Sequence, residues 1–286
     1  MSRTPFGDRL RAAMDEHGPF CPGIDPHRGL VESWGLTYDL AGVERFAMTC
    51  VEAFGGRVAA VKPQSAFFEV FGSRGVALLE RVVAGLREAG TLTVLDAKRG
   101  DIGSTMDAYA EAFLGKDAAA PADAITVSPY LGYGSLRPAV ELAQRTGRGL
   151  FVIALTSNPE GPSVQHAVRD GRSVAAGVVE GVAADNAEAR DRGAFGSIGM
   201  VVGATVGSAV RDLGLDLTGS AAPLLAPGLG AQGGTPQALR DTFGDALPQV
   251  LGTSSREVLS AGPDVASLRG AARAAADALS GVVAGA

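Results

Sequence analysis

The sequence predicts a single-domain (β/α)8 barrel, and three observations predict it. Eight short β-branched or apolar runs alternate with longer amphipathic or Ala-rich segments across nearly the whole chain. Polar or Gly-rich residues stand at the carboxyl end of nearly every run, namely Asp25, Lys62, Lys98, Ser157, Gly203, Pro227 and Ser255. That end is where a barrel of this class assembles its active site. The 286 residues also lie in the range where such barrels fold as one domain. An open doubly wound sheet uses the same alternation, but the eightfold count and the clustering of polar strand ends favour closure.

The alternation begins at residue 20 and leaves residues 1–19 without an assigned element. The run FCPGID (20–25) is the first strand, followed by a helical segment over 39–54. RVAAVKP (57–63) and TLTVLDAK (91–98) are β-branched runs, each trailed by a helix, over 73–89 and 104–114. DAITVSP (123–129) precedes the segment 136–146, and GLFVIALT (149–156) precedes the long segment 173–192. SIGMVVGA (197–204), PLLAPG (223–228) and QVLGTSS (249–255) complete the strands, with helices over 206–213, 236–243 and 264–283. The closing stretch AARAAADALSGVVAGA favours helix as far as Leu279 and is expected to fray in the Gly-containing residues beyond. No Pro- or Ser-rich linker and no short-period repeat divides the chain, so one domain over 1–286 is expected.

Composition narrows the function classes. A 46% hydrophobic content supplies a large core, and 40 Gly with 15 Pro supply its turns. The net charge of −6 without a Lys/Arg cluster argues against nucleic acid or an anionic membrane as the partner. Cys21 and Cys50 form no C-x-x-C pattern, and the amino terminus does not resemble a signal peptide, so a cytoplasmic location is expected. His17, His27 and His166 are scattered, and no zinc-type ligand cluster is visible. No apolar run approaches the ~20 residues that span a membrane.

The segment TVLDAKRGDIGST (93–105) carries the most chemistry. Asp96 and Lys98, two apart on a strand, point to one face with Val94, while Leu95 opposes them. Inside a closed barrel such charges must pair or reach water at the top, either as a structural ion pair or as catalytic groups. Lys62 and Asp25 end two neighbouring strands. Cations and carboxylates would thus converge on one mouth, where alternating charges keep one another ionised. The second informative segment, LLAPGLGAQGGTP (224–236), is glycine-rich enough to bend closely around a ligand and present amides to an anion. The next run ends in GTSSREV, where Arg256 can grip a phosphate as a planar fork. Loops after strands 7 and 8 are the usual phosphate site of such barrels.

Taken together, Asp25, Lys62-Pro63-Gln64, Asp96-Ala-Lys98-Arg-Gly-Asp101-Ile102 and Pro227-Gly-Leu-Gly-Ala-Gln232-Gly-Gly resemble the orotidine 5′-monophosphate decarboxylase family, from strand 1 to strand 8. The D-x-K-x-x-D core is shared with sibling sugar-phosphate barrels, and the Lys-Pro-Gln and Gly-rich companions sharpen the match. The long spacing between strands 5 and 6, with SPYLGYGS at 128–135, is similar to the longer bacterial branch. The resemblance implies a cofactor-free decarboxylation of orotidine monophosphate, on a homodimer with shared sites. It implies Lys98 as proton donor, in a charge network with Lys62, Asp96 and an Asp101 contributed by the partner subunit, with Ile102 and Thr105 also crossing the interface. It further implies Asp25 on the ribose hydroxyls, Ser157 on the pyrimidine edge, Pro227 beside the base, and Gln232 with Arg256 on the phosphate. This chain departs from the family pattern in placing Ser255 before Arg256, where Gly is usual. Thr156 and Ser157 are adjacent, and either hydroxyl could meet the pyrimidine. Two rival readings are a metal-dependent sugar-phosphate decarboxylase or synthase, in which the position of Lys62 resembles a carboxylate ligand, and a catalytically silent phosphate-binding barrel.

Overall fold

A computed structural model describes residues 3–229 and 233–285. Eight parallel strands close into a barrel in chain order: β1 (Phe20–Ile24), β2 (Ala60–Pro63), β3 (Leu92–Arg99), β4 (Ala124–Val127), β5 (Gly149–Leu155), β6 (Ile198–Val202), β7 (Leu224–Pro227) and β8 (Val250–Ser254). Closure is made by β8 pairing with β1, Phe20 opposite Gly252 and Pro22 opposite Ser254. Helix α1 (Phe6–His17) precedes the first strand. The crossover helices are α2 (Leu40–Phe54), α3 (Gly72–Glu88), α4 (Gly103–Leu114), α5 (Arg137–Thr146), α6 (Val174–Asp185), α7 (Ala209–Asp212) and α8 (Pro236–Phe243), and α9 (Val265–Ala284) follows the last strand. Asp39, Ser173, Thr235 and Asp264 cap the starts of α2, α6, α8 and α9 by accepting backbone N–H bonds.

The period of two along each strand builds two cores. Outward residues such as Leu95, Ile125, Val152 and Val202 pack against the helices. Inward residues Val94, Ala124, Phe151, Val201, Leu225 and Leu251 fill the lower barrel. Two residues further along, the inward positions turn polar or cyclic: Ala60 leads to Lys62, Val94 to Asp96, Ala124 to Thr126, Leu225 to Pro227 and Leu251 to Thr253. One pleat thus separates a dry floor from the site.

Residues 1–19 had no assigned element, yet α1 closes the bottom of the barrel. Phe6, Leu10 and Met14, spaced by four, form its buried stripe and join the inner core. The Phe6 ring meets Phe151 edge-on at 5.9 Å, and a Cβ at Gly149 would run into it. Arg9 fastens the helix from outside, Nη1 lying 2.6 Å from Asp123 Oδ1. The expected helix over 173–192 stops at Asp185, and a short turn, Ala187–Asp191, follows. The buried Asn186 turns inward there, donating to the carbonyls of Ile198 and Ser220 and accepting from Ile198 N–H. The helix expected over 206–213 is the single turn α7. The helix expected to end at Leu279 continues to Ala284, because Val282 is buried and holds α9 helical through Gly281. A two-stranded antiparallel hairpin, Val168–Arg169 with Arg172–Ser173, precedes α6. Its Asp170-Gly171 turn has positive φ at both residues, the signature of a tight hairpin turn. No described helix is long and apolar enough to cross a membrane.

Phe6→Ala empties the barrel floor and is expected to destabilise the protein by about 3–5 kcal/mol. Urea denaturation checks this, and a midpoint close to that of the unsubstituted protein would deny α1 a structural role.

Candidate active site

The barrel mouth is organised by Asp96. It sits on the inward face near the end of β3, and its side chain is 9% exposed. Its Oδ2 accepts from Lys62 Nζ at 3.0 Å and Gln64 Nε2 at 3.1 Å. Its Oδ1 accepts from Lys98 Nζ at 2.6 Å and the Thr126 hydroxyl at 2.9 Å. Four donors satisfy a carboxylate that burial alone would tend to neutralise.

The two lysines differ in access. Lys62 is 8% exposed and Lys98 is 50% exposed, so Lys98 is the cation that faces the open mouth. Burial opposes the Lys62 ammonium, but Asp25 and Asp96 outweigh it and hold the group above the ordinary lysine range. Burial likewise pushes the Asp96 carboxyl up, and Lys62 and Lys98 outweigh it, holding it well below the usual carboxylate range. Lys98 has φ 47°, a left-handed backbone that a side-chain-bearing residue adopts only under local constraint.

Beside this network lies a small cavity of about 140 Å³, lined among others by Asp25, His27, Lys62, Pro227 and Arg256. Asp25 Oδ1 is buried there without a hydrogen-bond partner among the described residues, an acceptor ready for a ligand hydroxyl. Gly23 lets the Ser255 side chain lie against β1, where a Cβ would collide with it. Arg256, exposed, opens the one-turn helix Arg256–Leu259 after β8. Gln232 lies outside the described residues.

The structure therefore brings Asp25, Lys62, Asp96, Lys98, Pro227 and Arg256 to one mouth. Ser157 lies past the end of β5, with its backbone close to Gly203, and its side chain is exposed. The neighbouring Thr156 hydroxyl is engaged, accepting from Gln165 at 2.7 Å and bonding Asn158 at 2.6 Å. Asp101, Ile102 and Thr105 stay out of this chain's own cluster. Asp101 Oδ1 accepts from Ile102 N–H, and Ile102 is 62% exposed. Sequence reasoning missed Thr126 entirely and gave Gln64 no role beyond its motif. Thr126 was legible as a polar inward position of DAITVSP, two residues beyond Ala124.

Asp96 has a depressed pKa when folded. Its contribution to stability is therefore fully present above the unfolded carboxyl value near ~3.9 and is lost as pH falls towards the folded value. Asp96→Asn is expected to lower stability by roughly 3 kcal/mol at pH 7, since Lys62 stays buried with one partner fewer. The gap between the two proteins should narrow below about pH 4. Denaturation curves across pH test this, and a gap that widens in acid contradicts the assignment.

Residues 18–283 match the family described as orotidine 5′-phosphate decarboxylase / HUMPS. The chain is 62% identical over 270 residues to an orotidine 5′-phosphate decarboxylase of Streptomyces coelicolor, covering 94% of each chain. It is 59% identical over 268 residues to that of Salinispora tropica, covering 93% of this chain and 94% of the relative. A crystal structure from Streptomyces avermitilis, described as the same enzyme, superposes with a TM-score of 0.94 at 60% identity, over 99% of this chain and 98% of the other. With the fold, the charge network and the sequence matches in agreement, the chain belongs to the orotidine 5′-phosphate decarboxylase / HUMPS family.

Proposed function

We propose that this barrel, as one domain, converts orotidine 5′-monophosphate to uridine 5′-monophosphate and carbon dioxide in pyrimidine biosynthesis, with Lys98 as the proton donor. The observation that carries the reading is the pair of lysines sharing Asp96, one sealed and one open to the mouth. Loss of carbon dioxide breaks the bond to carbon 6 and leaves its electron pair on that carbon, where the pyrimidine delocalises it poorly. Enzymes lower such barriers by about 8–23 kcal/mol. A fixed ammonium near the developing carbanion stabilises it and then gives it a proton, so Lys98 serves both steps. Asp96 holds that ammonium in place and opposes a second negative charge beside it. The Lys62 ammonium, kept charged between two carboxylates, opposes a divalent cation there and favours metal-independent chemistry over the sugar-phosphate reading.

Asp25, whose Oδ1 has no hydrogen-bond partner among the described residues, is assigned to the ribose hydroxyls, Pro227 to the base, and Arg256 with Gln232 to the phosphate. Ser157 takes the pyrimidine edge, since the Thr156 hydroxyl is already engaged. Phosphate binding, remote from the bond that breaks, would supply free energy for assembling the site. We assign Asp101, Ile102 and Thr105 to the neighbouring site of a homodimer. Their position beyond the end of β3, outside this chain's own cluster, supports it. The two buried free cysteines suit a reducing cytoplasm.

Loss of orotidine monophosphate absorbance, followed with a chelator present, tests the reaction. Lys98→Ala should lose at least roughly 10³-fold in turnover while still binding uridine monophosphate. A folded variant of near-normal rate would remove Lys98 from its role, and a strict metal requirement would favour the sugar-phosphate reading.

Sharing of the site is tested by mixing two inactive variants, Lys98→Ala and Asp101→Asn, and letting subunits exchange. Half the dimers become hybrids with one intact site of two, so about a quarter of full activity should return. Verified exchange without recovery would place Asp101 in its own subunit's site.

A further inference from the structure

Strand β3 abandons its regular pairing with β4 just where the charged residues lie. Leu95 stands opposite Ile125 and Arg99 opposite Val127, so Asp96, Ala97 and Lys98 together face Thr126 alone. A bulge of this kind takes backbone N–H groups off the ladder, and buried donors seldom stay unpaired. The Thr126 side chain receives them: Oγ1 accepts from Ala97 N–H at 3.1 Å and from Lys98 N–H at 2.9 Å. A hydroxyl has two lone pairs and one proton. With both lone pairs occupied, its proton is directed to Asp96 Oδ1 at 2.9 Å, the oxygen that also holds the Lys98 ammonium. Thr126 is 1% exposed.

We infer that Thr126 is a positioning residue for the decarboxylation. Its single hydroxyl fixes both the left-handed backbone of Lys98 and the carboxylate that aims the Lys98 ammonium. It acts through these two residues. The role rests on the proposed proton-donor function of Lys98 and extends it, because the donor's aim is set from the neighbouring strand. Valine at this position keeps the shape and the β-branching and removes only the hydroxyl. Two amides and one carboxylate oxygen then lose a partner together, and the bulge relaxes.

The test compares the intact protein, Thr126→Val and Thr126→Ser with orotidine monophosphate as substrate and uridine monophosphate as the binding probe. Thr126→Val should lower kcat roughly 100-fold, the scale of a small misplacement of a catalytic group. Its dissociation constant for uridine monophosphate should change by no more than about threefold, since the groups assigned to ribose and phosphate are untouched. Thr126→Ser, which retains the hydroxyl, should recover kcat to within about tenfold of the unsubstituted protein. A folded Val variant with undiminished kcat overturns the assignment, as does one whose only defect is a raised KM. If the Val variant does not fold, the Ser variant decides, because a folded protein with the hydroxyl and a hundredfold loss of kcat contradicts the role. The unsubstituted protein is assayed first. If it leaves orotidine monophosphate unchanged, the decarboxylase reading itself fails; if it is active and the Val variant is unimpaired, only the role of Thr126 fails.

Discussion

A carboxylate placed inside a barrel is stable only if its charge is answered, and Asp96 is answered four times. Lys62 and Gln64 bond one oxygen, and Lys98 and Thr126 bond the other. Each donor comes from a different constraint: the end of β2, the turn after it, the bulge of β3 and the inward face of β4. Removing the carboxylate would leave the buried ammonium of Lys62 facing Asp25 alone. The arrangement at the mouth therefore depends on this one ion cluster, and the strand ends are held where its geometry needs them.

The cluster can exist because the barrel below it is dry and full. Side chains of α1 reach up to Phe151, and the inward residues of the strands meet them, so the charges rest on an apolar floor. A low-polarity floor strengthens each interaction above it and leaves unpaired groups more exposed to penalty. The same floor leaves access to the top only, which is where Lys98 has half its side chain in contact with solvent. Stability at the bottom and chemistry at the top follow from one strand periodicity, shifted by a single pleat.

The backbone at Lys98 illustrates how a catalytic group is aimed. A left-handed conformation at a residue with a side chain costs about 1–2 kcal/mol, and it persists here because the bulge and the Thr126 hydroxyl hold it. In a regular strand Lys98 would continue upward with its neighbours. The bulge instead turns its side chain back so that the ammonium meets Asp96 at 2.6 Å. In the proposed reaction that turn places the proton donor and its orienting carboxylate within one hydrogen bond.

The barrel itself was written in the sequence: eight apolar runs with period two, separated by helical segments, fix which faces are buried, and hydrophobic patterning is a local property. The identities and strand-end positions of Asp25, Lys62 and Asp96 were equally local, since alternate residues on a strand share a face, whereas Lys98 could be read as a strand-end cation but its meeting with Asp96 is made by the bulge. The plug formed by α1 carried its signal too, Phe6, Leu10 and Met14 at spacing four, but nothing local says that such a stripe will fill the floor of a barrel made by strands up to 245 residues away. The break at Asn186 and the helix that runs on through Gly281 were decided by partners distant in the chain, Ser220 and the core around Val282. Thr126 is the sharpest case. Its hydroxyl could be read from the sequence as polar and inward, but its three hydrogen bonds exist only because β3 slips by two residues against β4. Register between strands is a property of the closed sheet, so only the tertiary structure could join that hydroxyl to Asp96 and Lys98.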